Sequence, residues 1–263
     1  MSTPVMKLFD LSGQTAVVTG GSRGLGLQIA EALGEAGAKI LLSSRKAADL
    51  EEAAAHLQAK GIDARWVAAD AARPEEARRI VAEAMERLGR IDILVNNAGA
   101  TWGAAAEEHP LEAWDKVMDL NIRSLFVISQ AAAVASMIPR RSGRIINVAS
   151  IAGLGGNPPG MKTIAYNTSK GAAVNFTRAL AAEWGRHGIT VNALAPGFFP
   201  SKMTKGLLDT LGAENMAAHA PLNRLGDDDD LKGATLLFAS AAGKHITGQI
   251  LPVDGGVSAL IGG

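Results

Sequence analysis

Short apolar runs alternate with segments of helical periodicity along nearly the whole chain. Seven runs rich in Val, Ile, Leu and Ala predict strands, at residues 16–18, 39–42, 64–68, 91–95, 144–148, 189–194 and 249–253. Runs that are apolar on both faces are typical of a parallel sheet covered on two sides. Between the first two runs, Leu25, Ile29 and Leu33 share one helical face, and Gly37 follows as a stop signal. This alternation predicts one α/β domain over residues 1–263, a doubly wound seven-stranded parallel sheet with helices on both faces.

Two stretches depart from this rhythm. Residues 153–164 are rich in Gly and Pro, and residues 197–221 follow the sixth predicted strand with a mixture of Phe, Pro, Met and Lys. Ligands of open parallel sheets bind beyond the carboxyl ends of the strands. We therefore expect a substrate loop at 153–164 and a lid at 197–221.

A glycine-rich segment, Thr-Gly-Gly-Ser-Arg-Gly-Leu-Gly at residues 19–26, joins the first predicted strand to the first helix. Gly20 is expected to make a tight turn, Gly24 to let the backbone approach a pyrophosphate, and Gly26 to let the helix pack on the sheet. Phosphates would then meet the helix N-terminus. The strand, loop and helix in this order favour a dinucleotide site over an ordinary turn, and a sheet of Rossmann type.

The end of the second strand bears on the choice between NAD and NADP. An acidic residue there would hold a ribose 2′-hydroxyl, whereas cations accommodate a 2′-phosphate. The sequence has Ser44 at about this point, followed by Arg45, and Arg23 in the glycine loop is a possible second cation. Arg45 and Lys46 could instead simply begin a solvated loop. The pattern favours NADP(H) over NAD(H).

The most informative segment is Tyr166-Asn167-Thr168-Ser169-Lys170, which contains the single tyrosine of the chain. Tyr166 and Lys170 are four residues apart, so they share a face of a helix. Ser150 follows the fifth predicted strand, and Asn-Asn-Ala-Gly follows the fourth at residues 96–99. Together with the glycine loop, this ordered set resembles the short-chain dehydrogenase/reductase family from about residue 11 to residue 256.

The resemblance implies a role for each matching residue. Ser150, Tyr166 and Lys170 would form a catalytic triad, with Asn121 as a fourth member. The resemblance and the glycine loop together assign the cofactor to Gly20, Ser22, Arg23, Gly24, Leu25, Gly26, Ser44, Arg45, Asp70, Ala71, Asn97, Ala98, Gly99, Tyr166, Lys170, Pro196, Gly197, Phe199 and Ser201. Large side chains in loops beyond the strand ends, with Ser150, are expected to line the substrate pocket: Trp102, Met161, Phe198 and Met203.

One spacing and two residues depart from the family pattern. Ser150 and Tyr166 are sixteen positions apart (166 − 150), about three more than is common, and the extra length falls within residues 155–163. Ser201 stands where a threonine is usual and keeps the hydroxyl. Phe199 replaces a small aliphatic residue, and we expect it to narrow the pocket.

The proposed chemistry follows from charge. A free tyrosine has a pKa of about 10, too high for easy proton exchange at neutral pH. A cation at about 5 Å in an effective dielectric of about 20 stabilises tyrosinate by roughly 3 kcal/mol, or about two pKa units. We therefore expect Lys170 to bring Tyr166 into a range where it both gives and takes a proton. Ser150 would orient the substrate oxygen, and Asn121 would support a water relay.

The bulk composition narrows the remaining possibilities. The 26 basic and 26 acidic residues cancel, so no field attracts nucleic acid or an anionic membrane. The chain has no cysteine, and its five histidines show no metal-ligand spacing, so no metal site is predicted. No secretory signal or uncharged membrane-length stretch is evident, which predicts a cytoplasmic protein. The resemblance and the apolar segment 257–263 predict a homotetramer.

The function predicted is NADPH-dependent reduction of a ketone to a secondary alcohol. Residues 97–103 and 199–204 are similar to bacterial β-ketoacyl reductases, including the branch associated with rhamnolipid synthesis, and to gluconate 5-dehydrogenase-like enzymes. A sugar acid would need cations, for which Lys162, Lys202 and Lys205 are candidates. A third alternative is an NADP-sensing protein without chemistry, but such a protein should lack Tyr166 or Lys170.

Overall fold

The computed structural model describes residues 2–158, 160–202 and 204–260. Over these residues it contains the strands β1 (Thr15–Thr19), β2 (Lys39–Ser44), β3 (Ala64–Ala68), β4 (Ile93–Asn96), β5 (Gly143–Val148), β6 (Ile189–Pro196) and β7 (Ile250–Val253). All neighbouring pairs are parallel, in the order β3-β2-β1-β4-β5-β6-β7. The predicted sheet is confirmed, and its winding reverses between β1 and β4, where such folds bind ligands.

The described residues form the helices α1 (Gly24–Glu35), α2 (Ala47–Ala59), α3 (Pro74–Leu88), α4 (Leu111–Arg140), α5 (Ile164–Trp184), α6 (Lys205–Leu211), α7 (Ala213–Ala218) and α8 (Lys232–Ala239). The helices α6 and α7 lie in the predicted lid. The helix α3 begins as its sequence predicts, because Pro74 fits the first helical position and Glu75 and Glu76 favour the positive end of the dipole. It ends at Gly89, which adopts a left-handed conformation with φ of 78°.

The side chains of each strand alternate between two apolar layers. In β1, Ala16 and Val18 pack into the layer shared with α1, α2 and α8, whereas Val17 faces the layer shared with α3, α4 and α5. Every residue of β1 and β6 is buried. The core is therefore built of aliphatic side chains on both faces of the sheet, which leaves the carboxyl ends of the strands to carry polar groups.

The long helix α4 has two irregular turns. Asp119–Arg123 and Ala133–Met137 are π-helical, each within an otherwise continuous helix. Its length and hydropathy would also suit a membrane span, but half of its most apolar window is buried against the rest of the fold. We interpret α4 as a core helix whose first π turn adjusts the direction of one side chain near the site.

The outer edge of the sheet at β3 is covered by side chains rather than by another strand. Three alternate carbonyl oxygens of β3 accept hydrogen bonds from α2 and α3: Ala64 from Gln58 at 2.8 Å, Trp66 from Arg87 at 2.9 Å, and Ala68 from Arg79 at 2.7 Å. These are the oxygens that point away from β2, so they are the ones that a further strand would use.

Candidate active site

The helix α5 carries two of the predicted catalytic residues on one face. Tyr166 and Lys170 lie one turn apart, and the Lys170 Nζ is 5.6 Å from the centre of the Tyr166 ring. Ala165 and Ala173 are fully buried on the same helix, so small side chains let it approach the sheet closely. Tyr166 is half-buried, whereas Lys170 is only 6% exposed.

Ser150 reaches the same place from the carboxyl end of β5. Its hydroxyl is near enough to the Tyr166 phenol to lower the pKa of that group, and it accepts a bond from the Ala152 amide at 3.1 Å. The following turn, Ile151–Gly153, packs on α5 so closely that a Cβ on Gly153 would lie 2.5 Å from the Lys170 carbonyl carbon. Glycine at 153 thus allows the turn to hold Ser150 against the helix.

The Lys170 ammonium is held in a nearly dry position. Its Nζ donates to the Val148 carbonyl at 2.7 Å, and a Cβ on Gly99 would lie 3.6 Å from it. Burial disfavours the cation and lowers the pKa of Lys170 to about 8. An ammonium has three donors, so this one can hold a further ligand while it stays bound to β5.

The electrostatics at Tyr166 differ from the simple expectation. In the protein chain itself, burial raises the pKa of Tyr166, and the nearby Ser150 hydroxyl opposes that shift. The expectation that Lys170 lowers this pKa left the effect of burial out. The phenol is therefore protonated at neutral pH and set to donate.

Asn121 lies in the first π turn of α4 and is 2% exposed. Its side chain makes a reciprocal pair with the backbone of Ala100, at 2.8 Å from the amide and 2.9 Å to the carbonyl. It also donates to the Ser169 hydroxyl at 2.9 Å, and Ser169 in turn donates to the Tyr166 carbonyl. The Asn121 side chain thus ties three elements together, so a water relay at this residue would have to use its backbone carbonyl.

The glycine loop fits the diphosphate of a dinucleotide. Gly20 and Gly24 have positive φ angles of 64° and 52°, and the nearest atom to a Cβ on Gly24 would be 4.0 Å away, in Ser201. This leaves open space beside the backbone at the start of α1, whose cap residue Arg23 makes no side-chain hydrogen bond to the helix. Free amides at a helix N-terminus bind phosphate. Ser22 and Leu25 belong to the same loop and its first helical turn.

Asn97 and Thr19 fasten the glycine loop to the sheet. The Asn97 side chain donates to the carbonyls of Thr19 and Gly20, both at 3.0 Å. The Thr19 hydroxyl accepts from the amides of Asn97 and Ala98 at 3.0 and 3.1 Å. A Cβ on Gly26 would lie 2.3 Å from the Gly20 oxygen, so the turn and α1 are in direct backbone contact.

The end of β2 presents the residues that bear on cofactor choice. The Ser44 hydroxyl is buried and has no hydrogen-bond partner among the described residues. Arg45 is exposed, whereas Arg23 pairs with Asp49 at 3.1 Å. Exposed ion pairs are worth about 1 kcal/mol or less, so Asp49 would not prevent Arg23 from turning to a phosphate. A buried hydroxyl without a partner among the described residues, followed directly by Arg45, fits a polar group of a nucleotide.

The other predicted cofactor residues lie along the same edge of the sheet. Asp70 and Ala71 follow β3, where an Asp70 carboxylate oxygen accepts from the Ala72 amide at 3.2 Å. Pro196 ends β6, and a Cβ on Gly197 would lie 2.7 Å from Asp254.

The segment predicted as a lid, residues 197–221, is held near its start by short contacts. The Ser201 hydroxyl bonds that of Thr204 at 3.0 Å. Phe199 is 4% exposed, and its ring packs directly on Gly226. A Cβ added to Gly226 would lie only 2.4 Å from a carbon of that ring. The ring packs into the apolar core, and its expected role in narrowing the pocket stays a prediction.

The predicted pocket residues are spread over three segments. Trp102 is 42% exposed and its ring centre lies 5.9 Å from the Lys116 Nζ. Met161 and Phe198 are half-buried. Met203, the remaining candidate, lies outside the described residues. A separate cavity of about 450 Å³ lies between the lid and the turn after β7, and Ser150, Tyr166 and Lys170 do not line it.

The sequence model of a family described as short chain dehydrogenase matches residues 14–212. The chain belongs to the short-chain dehydrogenase family. As a member it is an oxidoreductase.

Two curated relatives are similar over nearly their whole lengths. Gluconate 5-dehydrogenase of Gluconobacter oxydans is 38% identical over 252 residues, which are 95% of this chain and 97% of that protein. The rhamnolipids biosynthesis 3-oxoacyl-(acyl-carrier-protein) reductase of Pseudomonas aeruginosa is 39% identical over 257 residues, with 94% and 97% covered. The crystal structure of a gluconate 5-dehydrogenase from Burkholderia cenocepacia, in complex with NADP and tartrate, has a TM-score of 0.92 at 34% identity and covers 98% of this chain and 100% of that one.

Within this short-chain dehydrogenase, four supporting residues had no role assigned from the sequence. Thr19 begins the glycine-rich segment and Ser169 lies between Tyr166 and Lys170. Their positions in these motifs could have indicated that both hydroxyls have supporting roles. Gly153 lies in the predicted substrate loop. Position 153 requires glycine because α5 packs against it, a contact that only the fold reveals. Asn157 is in the same loop, and its contacts cross from there to α5.

Proposed function

We propose that this short-chain dehydrogenase reduces a ketone to a secondary alcohol with NADPH. The observation that carries the proposal is the meeting of Ser150, Tyr166 and Lys170 at the carboxyl end of β5, beside a glycine loop that fits a dinucleotide. A bound nicotinamide cofactor supplies the hydride. The chain supplies the proton, the orientation of the carbonyl and the position of the cofactor.

Tyr166 is the proton donor. Its phenol is protonated at neutral pH because burial raises its pKa, so it can hydrogen-bond a carbonyl oxygen and transfer its proton as negative charge develops there. Ser150 acts on the pKa of the same phenol from nearby, so its hydroxyl is the second donor to that oxygen. Two donors fix the carbonyl in one orientation.

Lys170 acts on both sides of the reaction. Its ammonium, anchored on the Val148 carbonyl, has donors left for a ribose hydroxyl of the cofactor. Once Tyr166 has given up its proton, the same cation stabilises the tyrosinate. Asn121 keeps α4 and α5 in register, and its backbone carbonyl is the candidate for a water that returns the proton.

A preference for NADP(H) over NAD(H) is supported by three side chains. Ser44 stands where an acidic residue would repel a 2′-phosphate. Arg45, which follows it, and Arg23 in the glycine loop are exposed cations that could bind this phosphate. The relative from Burkholderia cenocepacia was crystallised with NADP.

Two substrate classes follow from the relatives, a 3-oxoacyl thioester and a sugar acid. An acyl chain suits a pocket lined by Trp102, Met161 and Phe198. A sugar acid requires a cation, and Lys162 and Lys202 are exposed on the substrate loop and lid, whereas Lys205 is already paired with Asp209 at 2.7 Å. We favour the 3-oxoacyl class.

We also propose that residues 153–164 and 197–221 act as substrate loop and lid of one domain, and that the protein is a homotetramer. Exposed apolar side chains on α4, among them Phe126 and Val134 at 47% and 64% exposure, support association. Of the apolar terminal segment, residues 261–263 lie outside the described residues. A cytoplasmic location stays a prediction.

The test is a screen of NADPH oxidation against a ketoacyl thioester, 5-ketogluconate and a simple aryl ketone, with Tyr166→Phe measured in parallel. The proposal requires turnover of at least one ketone that disappears in the variant. Turnover that Tyr166→Phe leaves unchanged would refute the proton donor, and no turnover of any ketone would refute the reaction. The thioester should give the highest kcat/KM.

A further inference from the structure

The substrate loop is joined to the catalytic helix by a pair of asparagines. The side-chain amides of Asn157 and Asn167 bond each other reciprocally, with both nitrogen-to-oxygen distances at 3.0 Å. Asn157 stands in the loop, and Asn167 directly follows Tyr166 on α5. A two-bond amide pair fixes the relative orientation of its partners as well as their separation.

Further bonds extend this pair to both ends of the loop. Asn167 also donates to the Ala152 carbonyl at 2.9 Å, in the turn that follows Ser150. The Thr163 hydroxyl donates to Asn167 at 2.9 Å and accepts from Asn157 at 2.8 Å. We call Asn157, Thr163 and Asn167 the amide clamp. Thr163 precedes α5 but makes no side-chain cap to it, so its hydroxyl serves the clamp.

The clamped loop in turn holds a third segment. Thr163 forms an isolated parallel bridge with Ala104, and the Ala104 amide donates to the Lys162 carbonyl at 2.9 Å. Ala104 closes the segment after β4 that carries Trp102. The clamp thus links the loop, the turn after Ser150 and the Trp102 segment to the helix that carries Tyr166.

We infer that the amide clamp determines substrate specificity, with Asn157 and Asn167 as positioning residues that set the distance between the loop and Tyr166. This rests on the proposed ketone reduction. Asn157 and Thr163 of the clamp lie in the substrate loop, and the loop glycines Gly155 and Gly156 have no neighbour within 4 Å of a would-be Cβ. With few packing contacts at these positions, the side-chain bonds decide where the loop lies.

The experiment compares Asn157→Ala, Asn167→Ala and the double variant with the parent enzyme. The control is Gln249→Ala, which removes an exposed side-chain amide at the opposite end of the sheet. For a long-chain ketoacyl thioester, each single variant should raise KM about tenfold, because two or more bonds of modest strength are lost together. For a small aryl ketone, which does not reach the loop, KM should change less than about twofold.

Three further readouts separate positioning from general damage. The double variant should be no worse than either single one, because both act through one unit. The NADPH affinity and the pH dependence of kcat should stay as in the parent. Hydrogen exchange at the Ala104 amide should become faster in the variants.

Thr163→Val and Thr163→Ser keep the inference testable if an asparagine variant unfolds. The valine variant should raise KM for the thioester by about threefold, and the serine variant, which retains the hydroxyl, should restore it. An equal loss for both ketones, or additive losses in the double variant, would overturn the inference. Tyr166→Phe is assayed beside them: if it is inactive while the clamp variants behave like Gln249→Ala, the clamp fails and the proposed function stands. If Tyr166→Phe is fully active, the proposed function itself fails.

Discussion

Glycine serves opposite purposes on the two sides of the site. On the cofactor side, a Cβ on Gly20 would lie 2.9 Å from the Ala98 Cα, and one on Gly26 would lie 2.3 Å from the Gly20 oxygen. On the substrate side, Gly155 and Gly156 have no neighbour within 4 Å. At Gly20 and Gly26 the cofactor side is thus in close contact, whereas the tip of the substrate loop at Gly155 and Gly156 is held by a few side-chain hydrogen bonds.

This difference explains how one family serves many substrates. A loop held by side chains can change its length without disturbing the sheet, whereas the glycine turn cannot gain an atom without moving α1. Ser150, Tyr166 and Lys170 lie where the two sides meet. Substitutions can therefore be chosen to affect one side, the other, or both.

The largest expected effect is the loss of turnover when Tyr166 can no longer donate a proton. Tyr166→Phe keeps the ring and its packing but removes the hydroxyl, so turnover should fall by about 10²–10⁴-fold. NADPH affinity, measured by fluorescence titration, should remain, because the cofactor side is untouched. A variant that binds NADPH normally and still turns over at near the original rate would contradict the mechanism.

Lys170→Met should affect both sides. Turnover should fall by at least about 10²-fold, and NADPH binding should weaken as well, because the ribose contact is lost with the charge. The double variant with Tyr166→Phe should be little slower than either single one, since both act through one proton transfer. Unchanged NADPH affinity in Lys170→Met would show that the lysine serves only the substrate side.

Paired glycine substitutions test the comparison directly. Gly26→Ala should lower NADPH affinity by at least about tenfold, because overpacking of this kind costs on the order of 1–3 kcal/mol. Gly156→Ala should leave NADPH affinity and unfolding unchanged, since its Cβ meets open space. Equal tolerance at both positions would remove the distinction between the two sides.

The coenzyme preference should depend on the end of β2. Replacing Ser44 by Asp and Arg45 by Gln should shift preference toward NADH, since a lost charge-assisted bond to phosphate costs on the order of 1.5–3 kcal/mol. The ratio of kcat/KM values for the two coenzymes measures the shift. Equal efficiency with both in the unaltered enzyme would contradict the proposed preference for NADPH.

The last expected effect concerns the support beneath the cofactor side, and it changes stability rather than catalysis. Glu31 on α1 is bonded by Lys232, His56 and Lys60, at 2.9, 2.9 and 3.0 Å. Burial alone would raise its pKa, but these partners lower it to about 2 from an ordinary 4.5. A carboxyl group whose pKa is lower in the folded state than in the unfolded state stabilises the fold at pH values above its unfolded-state pKa. That stabilisation is lost as the pH falls toward the folded-state pKa.

Urea unfolding of Glu31→Gln should therefore show a loss of about 2 kcal/mol near neutral pH, which shrinks by about half at about pH 3. Glu35→Gln is the matched control, because Glu35 lies one turn on along α1 and makes only long contacts of 3.8 and 3.9 Å. A pH-independent loss in Glu31→Gln would point to packing rather than charge.

The sequence predicted what depends on local pattern. The strands emerged from apolar runs, and the order of motifs located Ser150, Tyr166 and Lys170 at one edge of the sheet. Strand ends were less certain: residue 91 was predicted within the fourth strand, yet β4 begins at Ile93 and the Ile91 amide bonds the Ser136 hydroxyl instead.

What the sequence did not reveal depends on distances between elements. Phe199 packs over Gly226, Arg23 pairs with Asp49, and the raised pKa of Tyr166 reflects burial that only the fold determines. The π turn that carries Asn121 has no signal in the residue pattern.

The hydrogen bonds along β3 bear on how the protein behaves at high concentration. A sheet edge with unsatisfied oxygens is a template on which strands of other molecules add, which begins edge-to-edge aggregation. Here the side chains of Gln58, Arg79 and Arg87 occupy alternate oxygens of that edge. An incoming strand would have to displace two guanidinium groups and bring its own backbone beside their charge. The arginines of α3 thus help to keep the folded protein dispersed.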